Sequence, residues 1–265
     1  ILIDNCNIGN ESLTVTNGIH SYCTGSGTIT ATLSNCNIFN FWNASNSSKG
    51  IFLDSGNENW TISNNSFYQT TSRTASASNT HYGIYIDGGD GHTITNNYIG
   101  GSEPQCGGTA WTTLGDYANK FVGIYLNVGT TTPASLNGNV ISNFNHTFHS
   151  TTNATDLPGI WTGIYLSGGN ADIGTDTGNT IGISTGIDNI LVNSTAAADV
   201  ASFGIGVNSA GSTVNIYNNQ IGGITLNSSL ITNAHSYSAI NIASGSNIVV
   251  ENNIVGSTDT NNSIL

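Results

Sequence analysis

Apolar and polar residues alternate along this chain in short runs, and the runs themselves recur. Residues 83–100, GIYIDGGDGHTITNNYIG, show the unit most plainly. Two β-like runs, 84–87 and 93–95, are joined by a glycine-rich turn and closed by Asn-Asn and an apolar residue. Aligning copies on the second Asn gives eight, at Cys6, Cys36, Asn65, Asn97, Asn139, Asn179, Asn219 and Asn253, spaced 29–42 residues apart. Two positions later stand Ile8, Ile38, Phe67, Ile99, Ile141, Ile181, Ile221 and Val255, a wholly apolar column that predicts a core. One position earlier only Asn and Gly occur, the residues that best tolerate positive φ, which predicts a left-handed turn residue in every copy. The marker column then becomes a stack of side-chain amides bonded along an axis.

A second anchor is the Gly-Ile pair, with Ile19, Ile51, Ile84, Ile124, Ile164, Ile205 and Ile240 preceded by Gly except at Ala239. The residues two further on are again almost all apolar, so alternation places both columns on one face of a strand. Like positions would stack about 4.8 Å apart, as in parallel strands of a solenoid. The 3.6-residue apolar period of helical repeats is missing.

The pattern G-I-x-I-x-x-G, followed by x-I-x-N-N-x-I, resembles the right-handed parallel β-helix repeat of pectin-lyase-like proteins over nearly all 265 residues. The resemblance implies an all-β solenoid of about eight coils with long loop insertions, spanning residues 1–265 as a single domain. It says little about chemistry, because that fold hosts lyases, hydrolases, tailspikes and adhesins. Insertions are expected at 68–82, a polar loop, at 101–122, and at 143–162, 184–203 and 222–238, the last three with apolar runs such as Ile190-Leu191-Val192 that predict a third strand per coil. Asp176 falls in the otherwise apolar column of Ile3, Leu33, Ile62, Ile94, Leu136, Ile216 and Val250; a lone buried carboxylate is costly, so a register shift is expected there. The chain starts within a strand and ends in Ile264-Leu265 without a polar cap, which suggests a segment of a longer solenoid, or end-to-end self-association.

Composition changes the functional picture more than the structural one. With three basic residues (Lys49, Arg73 and Lys120) and a net charge of −12, the chain is poorly suited to nucleic acid, anionic membranes or polyuronates. No run of about 18 apolar residues predicts a membrane span. Cys6 and Cys36 share a column on adjacent coils, which permits either a disulfide or stacked thiols; Cys23 and Cys106 could meet only if a long loop folds back. Asn-x-Ser/Thr triplets, as at Asn43, Asn59, Asn145, Asn153, Asn193 and Asn227, are common by chance in so Asn-, Ser- and Thr-rich a chain.

Candidate chemistry lies in the outward column between the two apolar ones. It reads His20, Phe52, Tyr85, Tyr125, Tyr165, Gly206 and Asn241, with Tyr22, Asp54, Asp87, Asn127, Ser167, Asn208 and Ala243 beside it. Rings flanked by hydrogen-bonding groups suit a neutral sugar, so Phe52, Tyr85, Tyr125, Tyr165, Asp54, Asp87 and Asn127 form a candidate glycan strip. The competing reading is that the rings only stack on one another. Asp54, Asp87 and Asp90 form a candidate Ca²⁺ site; no other cofactor is expected. Lys49 and Arg73 are the only bases near that face, and the Asn-Thr-Asp, Asp-Asp and His-Gly motifs of pectin hydrolases are missing. The expectation is an extracellular, cell-surface β-helix of structural or adhesin type, with a carbohydrate or another surface protein as partner. The alternative is a polysaccharide lyase or glycoside hydrolase working around Asp54, Tyr85 and Asp87.

Overall fold

The computed structural model describes residues 1–23, 27–186, 189–195, 198–228 and 234–256; Ile264 and Leu265, assigned above to an uncapped end, lie outside them. The coil starting at Thr80 shows the plan. Thr80–Asp87, Thr93–Thr95, Tyr98–Ile99 and Trp111–Leu114 follow one another, and Lys120–Asn127 then lies parallel beside Thr80–Asp87. Repetition of this plan builds four all-parallel sheets of seven, eight, eight and five strands among the described residues. We call them, in the order of that coil, the long, second, third and fourth sheets. The chain is a parallel β-helix.

The columns stack as the alternation requires. Ile51, Ile84, Ile124, Ile164 and Ile205 are paired strand to strand, and each is fully buried. Glycine precedes these isoleucines because the coils approach closely there. A Cβ on Gly123 would sit 2.6 Å from the Gly163 carbonyl oxygen of the next coil and 2.9 Å from Ile141 Cδ1.

At the corner between the second and third sheets runs the amide stack. The Nδ2 groups of Asn65, Asn97, Asn139, Asn179 and Asn219 each donate to Oδ1 of the next Asn at 2.9–3.0 Å, ending on Asn253. Each Oδ1 also accepts a backbone N–H from the coil before, and each Nδ2 donates to a strand carbonyl, so the buried amides are satisfied on every side. Asn5, Asn35, Asn64, Asn96, Gly138, Asn218 and Asn252 turn the corner with φ of 53–66°.

Three expectations need correction, and one is borne out. The short strand after each Asn turn is itself the third, so Ile190–Ser194 belongs to a fourth. The register shift expected at Asp176 is present: Ile173, paired with Leu136 and Ile216, fills the apolar column, three extra residues enter before Asn179, and Asp176 is exposed. Gly174, at φ 84°, takes the left-handed conformation expected of Gly178. Bulges after Leu126 and Val207 pair Asn127 with Gly168 and Asn208 with Ser244, displacing Ser167 and Ala243 from the row predicted for them.

All four cysteines are free; the Cys6 amide donates to Cys36 Sγ at 3.3 Å, a stacked pair rather than a bonded one. Cys23 lies against the turn at Gly56, whereas Cys106 packs beside Gly101 and Val140.

The one core extends into the space between the fourth sheet and the leading half of the long sheet. Trp111, Phe121, Phe144 and Trp161 pack there with ring centroids 4.7–6.3 Å apart. Three histidines join them. His81 stacks on Trp42 at 3.9 Å and bonds Ser48 at 2.7 Å; His146 lies against Thr113 and Phe148; His235 meets Ser202 at 3.2 Å and Phe148 edge-on. Burial holds all three imidazoles well below their ordinary pKa, His81 down to about 3 and His146 and His235 to about 4.

Candidate functional site on the long sheet

The outward row of the long sheet is in register: His20, Phe52, Tyr85, Tyr125 and Tyr165 pair in succession. The rings stack along the solenoid axis. His20 and Phe52 lie parallel at 4.4 Å, Tyr85 and Tyr125 parallel at 4.4 Å, and Phe52 meets Tyr85 edge-on at 5.3 Å. Tyr85 and Tyr125 therefore cover each other's inner faces, and the row presents ring edges and hydroxyls as much as open faces. Phe52, Tyr85 and Tyr125 are half-buried, but Tyr165 is only 6% exposed. It stands next to Gly206, where a loop crosses the sheet; Leu157 of that loop occupies the space a Cβ on Gly206 would need.

Lys49 and Tyr82 complete the face. Lys49 Nζ lies 4.2 Å from the Phe52 ring centroid, 5.1 Å from Tyr85 and 5.9 Å from Tyr82, a cation held over three rings. Desolvation lowers the Lys49 pKa, with the charges of Asp54 and Asp87 acting against it. Tyr82 packs edge-on to Tyr85 at 4.7 Å, and burial pushes its hydroxyl up to about 12. Strict alternation would point Tyr82 inward. Instead Gly83 and Ile84 are both buried, so the strand changes face at the glycine and Tyr82 emerges beside Tyr85. The Gly-Ile column was the signal for this slip. Arg73, expected nearby, is on the fourth sheet and bonds Gln69 and Asn40.

The polar line beside the rings is bonded internally. Asn127 Nδ2 donates to Asp87 Oδ1 at 2.7 Å, and Ser167 donates to the Tyr125 hydroxyl at 2.7 Å. Asp90 turns toward the next coil, where its Oδ1 accepts the Thr131 and Thr132 amides at 2.9 and 3.2 Å. Asp54 Oδ1 accepts the Ser55 amide. Asp54 and Asp90 thus serve separate turns, while Asp87 bonds the adjacent strand. No three His, Cys, Asp or Glu side chains among the described residues gather in a way that could hold a metal ion. No described helix is long and apolar enough to cross a membrane.

Comparison with protein-family models, with curated proteins and with solved structures found no match.

Proposed function

We propose that this chain is a rigid extracellular β-helix of structural or adhesin type, akin to pectin-lyase-like proteins, whose long-sheet face takes a neutral glycan. One observation carries the reading: half-exposed Phe52, Tyr85 and Tyr125 form a ladder at strand spacing, edged by Asp54, Asp87 and Asn127. Ring edges and hydroxyls offer an extended sugar chain apolar contact and hydrogen bonds, repeated coil after coil. The stacked amides and isoleucines behind it hold those groups at fixed spacing, so little ordering cost remains on binding.

A second reading is favoured by Lys49. A half-buried ammonium with a lowered pKa, under the influence of two carboxylates, is a candidate general base for a polysaccharide-cleaving enzyme. One experiment addresses both. A panel of neutral polysaccharides is scored for binding and, in parallel, for new reducing ends or unsaturated products. Binding without turnover is expected, weakened at least about tenfold in Tyr85→Ala/Tyr125→Ala through loss of stacked contact area. Failure of the native protein to bind any neutral glycan overturns the first reading. Turnover that disappears in Lys49→Met or Asp87→Asn replaces it with the second.

A further inference from the structure

A cleft of about 330 Å³ lies on the opposite side of the solenoid from the aromatic ladder, where the 101–110 loop stands over the Asn corner. Asn35, Asn37, Asn64, Ser66, Tyr98 and Gln105 are among the residues lining it, and no charged side chain does so. We infer that this cleft binds one sugar unit of a neutral saccharide, independently of the long-sheet face.

The lining chemistry points that way. Side-chain amides both donate and accept, as sugar hydroxyls do, and the Tyr98 ring adds an apolar wall. Asn64 and Gln105 are exposed and Tyr98 is half-buried, so their polar groups are open to a ligand entering the cleft. Asn35 and Asn37 each use Nδ2 on the preceding coil, on Asp4 and Asn7 at 2.8 Å, leaving their carbonyl oxygens as acceptors. An anion would find no counter-charge here and a metal ion no carboxylate. The volume is at the small end for ligand pockets, which fits a single ring.

The backbone gives a second, separate reason. Gln105 and Cys106 are consecutive non-glycine residues in the left-handed region, with φ of 58° and 57°. Such a pair is unfavourable and persists only where surrounding contacts impose it. Those contacts are present: the Gln105 amide donates to Ser66 Oγ at 3.0 Å, Asn143 Nδ2 donates to the Cys106 carbonyl at 2.9 Å, and Ser102 and Glu103 close the loop onto the Gly107 carbonyl. Glycine would hold this turn more easily, so a glutamine there sets a side-chain amide at the cleft mouth at a cost in stability.

Gln105→Gly separates binding from folding. The test titrates neutral hexoses, pentoses and N-acetylhexosamines into the whole chain, followed by saturation-transfer NMR, with a uronic acid and an amino sugar as charged controls. The expected result is saturable binding of at least one neutral sugar and weaker binding of the charged ones. Gln105→Gly should bind at least about tenfold more weakly, the loss of a hydrogen-bonding group, while its Tm rises. Tyr85→Ala/Tyr125→Ala should leave this binding unchanged, which separates it from the long-sheet proposal. No saturable binding of any neutral sugar, or equal binding by Gln105→Gly, overturns the inference.

Discussion

Asn139→Ala is expected to destabilise the chain by about 3–5 kcal/mol, because it breaks the amide stack at its centre. Asn139 Oδ1 accepts from both the backbone and the side-chain nitrogen of Asn97 at 3.0 Å, and its Nδ2 donates to Ile94 O and Asn179 Oδ1. The residue is fully buried, so water cannot take over these bonds without opening the corner. Two donors of Asn97 would be left unpaired at about 1–3 kcal/mol each, against a typical domain stability of about 5–15 kcal/mol. Asn253, the last member of the stack among the described residues, is only half-buried. Asn253→Ala should cost about 1 kcal/mol, since solvent reaches the freed groups. Urea unfolding of both variants measures the contrast; equal losses would mean that the stack is not a cooperative unit.

Acid should unfold this protein through its interior histidines. His81, His146 and His235 are held neutral by burial, with pKa values of about 3, 4 and 4 against 6.5 in an unfolded chain. Between pH 6.5 and about 4 the unfolded state therefore binds more protons than the folded one, and stability falls as pH falls. Full stability is present above 6.5. Below it each imidazole contributes a loss on the order of 1 kcal/mol per pH unit. The groups facing them offer no counter-charge: Ser48 and Trp42 for His81, Thr113 and the Asn119 carbonyl for His146, Ser202 and Phe148 for His235. Urea midpoints at pH 7.5 and 5.0 should differ strongly, and His81→Phe should flatten the dependence by one proton. A midpoint that stays level over this range would show that the imidazoles are hydrated or charged in the folded state.

The architecture was legible because a solenoid repeats one local solution. An apolar residue two places after each Asn, and Ile after each Gly, fixes which side chains stack, and Ile84 does pair with Ile124. The aromatic row was legible for the same reason. Its surroundings were only partly so. Lys49 was legible as a base near this face, but its place over the rings and the arrival of Tyr82 beside Tyr85 follow from the strand changing face at its glycine, a backbone irregularity that period-2 counting passes over.

Sequence by itself determined the parallel coils, the buried isoleucines and the amide stack, since each follows from contacts between like positions in adjacent copies. Tertiary structure alone decided what the unequal insertions do. The crossing of Leu157 over Gly206 closes the row beyond Tyr165, and the 101–110 loop forms a cleft against the Asn corner. Asp90 is likewise drawn to the next coil's turn rather than to Asp54 and Asp87. Beyond the one fourth-sheet strand that each insertion contributes, the insertions differ in length and sequence, so the placement of the rest depends on packing between residues far apart in the chain, which no repeat pattern encodes.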